Sequence, residues 1–130
     1  MMLYSSTALW SILPDLDLPP AAMRVLARLQ SVQQPGGSIL ESQVDMAAAL
    51  GISQVTVSRS MRTLRERNLV IGARGAKRLH PLIAGYASSE DYEHAAIEAV
   101  RRDDIPDITV PLYVQPPPRV GHAPPLSAVS

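Results

Sequence analysis

The chain contains no cysteine, which excludes disulfides, cysteine-ligated zinc and thiol nucleophiles. No apolar run approaches the ~20 residues that cross a bilayer. The opening MMLYSSTALWSIL lacks the basic start and small-residue cleavage site of a secretory signal. A soluble cytoplasmic protein is expected. Catalytic patterns are also missing: His80, His94 and His122 have no partner at ligand or triad spacing, and the seven glycines fall at turns, not in a phosphate-binding pattern. A His-x-His pair to work with Tyr86 or Tyr92 in strand nicking is absent too. No enzyme, metal or cofactor is expected, and the residues name no small-molecule effector.

Net charge is lacking as well, since 12 Lys+Arg meet 12 Asp+Glu. As an average this argues against a polyanion binder. The average conceals a division. From Gly51 to His80 there are seven basic residues (Arg59, Arg62, Arg65, Arg67, Arg74, Lys77, Arg78) and one acid, Glu66, a local charge of +6; the remainder carries −6. Such segregation gives one face a positive potential, as a DNA-contacting surface needs. A solvated helix face is the bland alternative. The direction in which the arginines point decides between them.

One compact domain is expected in 130 residues, shorter than the chain because seven of the twelve prolines lie from Pro106 to Pro125. Residues 1–18 read as an arm or a short helix. PPAAMRVLARLQSVQ then predicts a helix with Pro20 in its first turn and Met23, Leu26, Ala27, Leu29 and Gln30 near a 3.6-residue period. It ends at Pro35-Gly36-Gly37. Ile39 and Leu40 suit a short strand, and Ser42 can cap a second helix with apolar Val44, Met46, Ala47 and Leu50, stopped by Gly51.

Ser53 caps a third helix, SQVTVSRSMRTLRERN, in which Val57, Met61 and Leu64 recur at i, i+4 and i+7 and face the core. Gln54, Thr56, Ser58, Arg59 and Arg62 are left pointing outward. LVIG, ARGA and KRLHPLI read as a β-hairpin around Gly75 with a basic tip. A last helix lies within 87–104, with Ser88 as its cap, acids in its first turn, and Arg101 and Arg102 near its end. Residues 105–130 form a Pro-rich tail. Ile108 to Val114 suit an extended segment against the domain, and the last dozen residues suit disorder.

Two short helices joined by a Gly-containing turn, then a hairpin, make a winged helix-turn-helix over 19–86, mainly α with a small β wing. A supported helix fits the DNA major groove, where Gln pairs with adenine, Arg bridges guanine O6 and N7, and a Thr methyl meets a thymine methyl. SQVDMAAALGISQVTVSRSMRTLRERNLV resembles the winged helix-turn-helix of MarR-like regulators. The continuation through KRLHPLIAGY is similar to plasmid RepL-type replication proteins, whose wing strand runs into an Asn-Pro phrase; here that phrase is His80-Pro81.

The resemblance spans about Pro19 to Tyr86. It implies contact with double-stranded DNA by Gln54, Thr56, Ser58, Arg59 and Arg62, with Arg74, Lys77 and Arg78 at the adjacent groove or backbone. Arg65 and Arg67 are expected to be solvated or paired with Glu66 and other neighbours. A transcriptional regulator is the first role implied and a replication-origin protein the second. The rival class is a winged-helix module that docks protein, which would show no preference for one duplex over a scrambled one.

A homodimer is expected because one helix and wing span only a few base pairs. Its contact falls either to Leu3, Tyr4, Leu9, Trp10, Ile12 and Leu13 or to Tyr92, Ala96, Ile97, Ala99 and Val100. The alternative for Trp10 is cover for the core beside the first long helix.

Overall fold

The fixed φ of Pro20 suits a first helical turn, and the longer of the two N-terminal helices starts there. The computed structural model describes residues 2–72 and 76–111. In chain order its elements are α1 (Ala8–Ile12), a 3-10 turn (Leu13–Leu16), α2 (Pro20–Val32), α3 (Gln43–Leu50), α4 (Gln54–Glu66), β1 (Val70–Ile71), β2 (Arg78–Leu79) and α5 (Ser89–Arg101). α2, α3 and α4 pack on one another, and β1 and β2 form a two-stranded antiparallel sheet with Val70 opposite Leu79 and Ile71 opposite Arg78. This is a winged helix-turn-helix, mostly helical.

The core gathers side chains from every part of the described chain. Leu9, Leu16, Val25, Leu29, Met46, Val57, Met61, Leu64, Leu79 and Ile83 are among its buried members. Each fully buried aliphatic side chain contributes ~1.5–3 kcal/mol. The face that α2 buries differs from the predicted one. Ala22, Val25, Leu26 and Leu29 are inside, whereas Met23 is 43 % exposed and Ala27 is exposed. Positions 22, 25, 26 and 29 share the 3.6-residue period equally well, and the small Ala22 suits a close helix crossing. In α3, Met46 and Ala47 are buried as predicted, but Val44 is 58 % exposed near the helix start.

Ile39 and Leu40 form no strand. Ser38 instead makes an isolated bridge to Arg78, with Ile39 N–H donating to the Lys77 carbonyl (3.1 Å) and Leu79 N–H to the Gly37 carbonyl (2.9 Å). Gly37 has φ +93°, and a Cβ there would lie 2.8 Å from that of Ala84. Only glycine allows so close an approach without displacement.

The N-terminal segment is tied into the domain. Tyr4 and Tyr86 exchange backbone hydrogen bonds (2.6 and 2.7 Å), and the rings of both lie 5.8 Å from that of Tyr92 on α5. α5 carries the predicted ends: the Ser88 side chain accepts from Asp91 N–H, Glu90 and Asp91 occupy the first turn, and Arg101 the last. After α5 the chain returns as a strap, with Ile105 buried and Thr109 N–H donating to the Arg67 carbonyl (2.8 Å). The expected extended segment at 108–114 is described to Pro111, and the rest of the tail lies outside the described residues.

Candidate nucleic-acid interface

Gly51 ends α3 in the left-handed conformation (φ +67°), and Ser53 starts α4 two residues later by accepting from Thr56 N–H (3.1 Å). This short turn fixes the angle between the two helices. Val57, Met61 and Leu64 are buried as their spacing predicts, and Ser60 joins them at the edge of that face. Four inward positions on 13 residues leave α4 little freedom to rotate.

Gln54, Ser58, Arg59 and Arg62 are exposed on the remaining surface. Thr56 is half-buried, and its hydroxyl lies 2.8 Å from that of Ser53. It therefore shares in the cap. Val55, absent from the expected contacts, is 60 % exposed and stands four residues before Arg59 and seven before Arg62. The same period that puts Val57 inward puts Val55 outward, and that is the signal in the sequence that marks it. Glu66 continues the exposed row, so the C-terminal end of α4 is less suited to phosphate than its N-terminal half.

Arg65 and Arg67, expected to be solvated or paired with Glu66 and other neighbours, pair with neighbours other than Glu66. The Arg65 guanidinium donates to the Gly72 carbonyl (2.9 Å) at the end of β1, and Arg67 Nε donates to the Leu16 carbonyl (3.0 Å). Both hold α4 to its neighbours, because their long side chains reach backbone acceptors in other segments. Asn68 ends the helix at φ +57°, and its side-chain amide donates to the Asp107 carbonyl (2.9 Å) and to the Thr109 hydroxyl (3.2 Å). Helix end, wing and strap thus share one network.

Lys77 and Arg78, both half-buried, lie at the start of the second wing strand, and Arg74 lies outside the described residues. Arg28 donates a two-pronged hydrogen bond to Glu41 (2.9 and 2.6 Å). That bond holds the Glu41 carboxyl below its ordinary range, and the charge of Lys77 acts in the same direction. Arg78 shares a cleft of about 420 Å³ with Arg65, Asn68, Gly72, Asp104 and Pro106, so its charge also faces the acidic strap.

His80, for which the sequence shows no metal-ligand or triad partner, is 1 % exposed and has two backbone hydrogen-bond partners. Leu82 N–H donates to Nδ1 (3.1 Å), which makes the ring the Nε2–H tautomer, and Nε2 donates to the Pro106 carbonyl (2.7 Å). Burial pushes its pKa below the ordinary histidine value, against the hydrogen bond to Pro106 and the charge of Asp107. The ring is a neutral clamp between the wing exit and the strap.

Among the described residues no cluster of His, Asp or Glu is placed to hold a metal ion, and no helix is long and apolar enough to cross a membrane. Residues 23–81, just under half of the chain, match the family model of the Crp-like helix-turn-helix domain. No curated protein and no solved structure matches the chain. The family match supports a winged helix-turn-helix that binds DNA and does not separate MarR-like regulators from RepL-type replication proteins.

Proposed function

We propose that the protein is a sequence-specific double-stranded DNA-binding protein acting in the cytoplasm as a transcriptional regulator. One observation carries this reading: α4 buries Val57, Ser60, Met61 and Leu64 and turns Gln54, Ser58, Arg59 and Arg62 to solvent on a helix fixed at both ends. Rigid support is what base reading demands, because a contact misplaced by an ångström loses its discrimination. Arg59 and Gln54 supply the two side-chain types suited to guanine and adenine edges. Arg62 and the wing cations Arg74, Lys77 and Arg78 fit phosphate contacts, which position without specifying.

The second reading is binding at a plasmid replication origin. The continuation KRLHPLIAGY supports it through the RepL-type resemblance, from which His80 departs in standing where that family has asparagine. Docking of a protein by the winged helix ranks below both.

A homodimer on a two-fold related site completes the proposal. Trp10 is 71 % exposed and, with Leu9, Leu13, Met23 and Leu26, lines a groove of about 410 Å³ beside α2. An exposed tryptophan on an apolar groove is the kind of anchor that interfaces use. Selection of bound sequences from random duplex, followed by mapping in the source genome, tests the function. A site beside the protein's own gene supports regulation, and repeated sites in an origin support replication. Absence of any enriched sequence would refute specific DNA reading.

A further inference from the structure

We infer that Val55 reads a thymine methyl group in the major groove and so sets the specificity of one base pair beside that read by Arg59. The inference rests on the proposed DNA reading of α4 and deepens it. Val55 is the apolar side chain of the exposed row, 60 % open to solvent, in line with Arg59 at i+4 and Arg62 at i+7. Left in water, an isopropyl group on an otherwise polar helix face gains nothing. Against the C5 methyl of thymine it loses water on both sides, and the methyl is the one apolar feature that a base edge presents in that groove. Thr56 is less suited to the contact, because it is half-buried and its hydroxyl lies beside Ser53.

Position along the helix narrows the target. Four residues of α-helix advance about 6 Å, and successive base pairs lie about 3.4 Å apart, so Val55 and Arg59 address bases about one to two steps apart. Val55 occurs in the first turn of α4, the end that a recognition helix commonly turns toward the bases.

The test uses the full chain and the duplex it enriches most strongly from a random pool. Thymines of that duplex are replaced one at a time by deoxyuridine, which removes only the methyl, and affinity is measured for wild type, Val55→Ala and Arg59→Ala. Wild type should lose about three- to fivefold affinity at a single thymine, the worth of one buried methyl. Val55→Ala should bind the parent duplex more weakly by a similar factor and be indifferent to that deoxyuridine, while keeping the base preference that Arg59→Ala loses. The sensitive thymine should lie within about two base pairs of the Arg59 position.

A flat deoxyuridine scan in wild type, or equal sensitivity in wild type and Val55→Ala, would overturn the Val55 contact and leave the DNA reading of α4 standing. A preferred duplex without thymine in that window would do the same. Failure to enrich any duplex would overturn the functional reading and the Val55 contact together.

Discussion

Two residues, one before the wing in the chain and one after it, carry different kinds of work. Arg59 is exposed on α4, and among the described residues its side chain makes no hydrogen bond or ion pair, so Arg59→Ala should leave the thermal midpoint unchanged. It should cost ~1–3 kcal/mol of binding and relax preference at one base pair, as measured by titration against the selected duplex and its single-base variants. Unaltered preference in the folded variant would remove Arg59 from the reading surface. His80 works inside the fold. Its folded pKa is depressed below the ordinary 6.5, so its contribution to stability is full above that value and is lost as pH falls through the lower folded pKa. Protonating Nδ1 would set an N–H against that of Leu82. His80→Asn should therefore be less stable than wild type at neutral pH and vary less as pH falls below 6.5, by chemical denaturation at a series of pH values.

Among the elements, those with internal periodicity were legible in the sequence, and those set by distant partners were not. Ser42, Ser53 and Ser88 all cap helices where local pattern placed them, because a cap depends on residues within one turn. Val57, Met61 and Leu64 were legible for the same reason. The buried face of α2 was not, since two overlapping apolar rows satisfy one period and only the packing of α3 and α4 chooses between them. The roles of Arg65, Arg67, Asn68 and His80 all depend on partners in other segments, from Leu16 to Thr109, which spacing does not reveal.

The strap gives a test at this scale. Asn68→Gly keeps the left-handed helix end and loses both side-chain bonds to the strap, whereas Asn68→Ala adds left-handed strain of roughly 1–2 kcal/mol. Alanine should thus lower the unfolding free energy more than glycine, and the reverse order would show that the left-handed end carries no strain; a glycine variant as stable as wild type would show that the strap bonds do not matter. The wing gives another. Replacing Arg74, Lys77 and Arg78 with alanine should weaken specific and random duplex equally, with the slope of log K against log salt falling by ~0.9 for each phosphate that the wing no longer neutralises. An unchanged slope would mean that the hairpin does not touch the backbone.

At the scale of the whole molecule, zero net charge and DNA binding are compatible because the charges are divided, with a basic segment from α4 through the wing and acids elsewhere. Asp103, Asp104 and Asp107 on the strap lie outside the exposed row of α4, and Glu66 marks where that row ceases to suit phosphate. In the proposed dimer, assembly uses the groove beside α2 over which Trp10 stands exposed. Trp10→Ala should shift the full chain from dimer toward monomer by sedimentation and favour a single half-site over a paired one, whereas a wild type that stays monomeric at tens of micromolar would exclude the dimer. The orientation of α4 on DNA underlies all of this, and backbone amide shifts in NMR report it directly when labelled full-length protein is titrated with its selected duplex. The largest changes should fall on Ser53 to Arg62 and on Lys77 and Arg78, with α5 nearly silent. Changes centred on α5 or the N-terminal groove, with α4 unmoved, would contradict it.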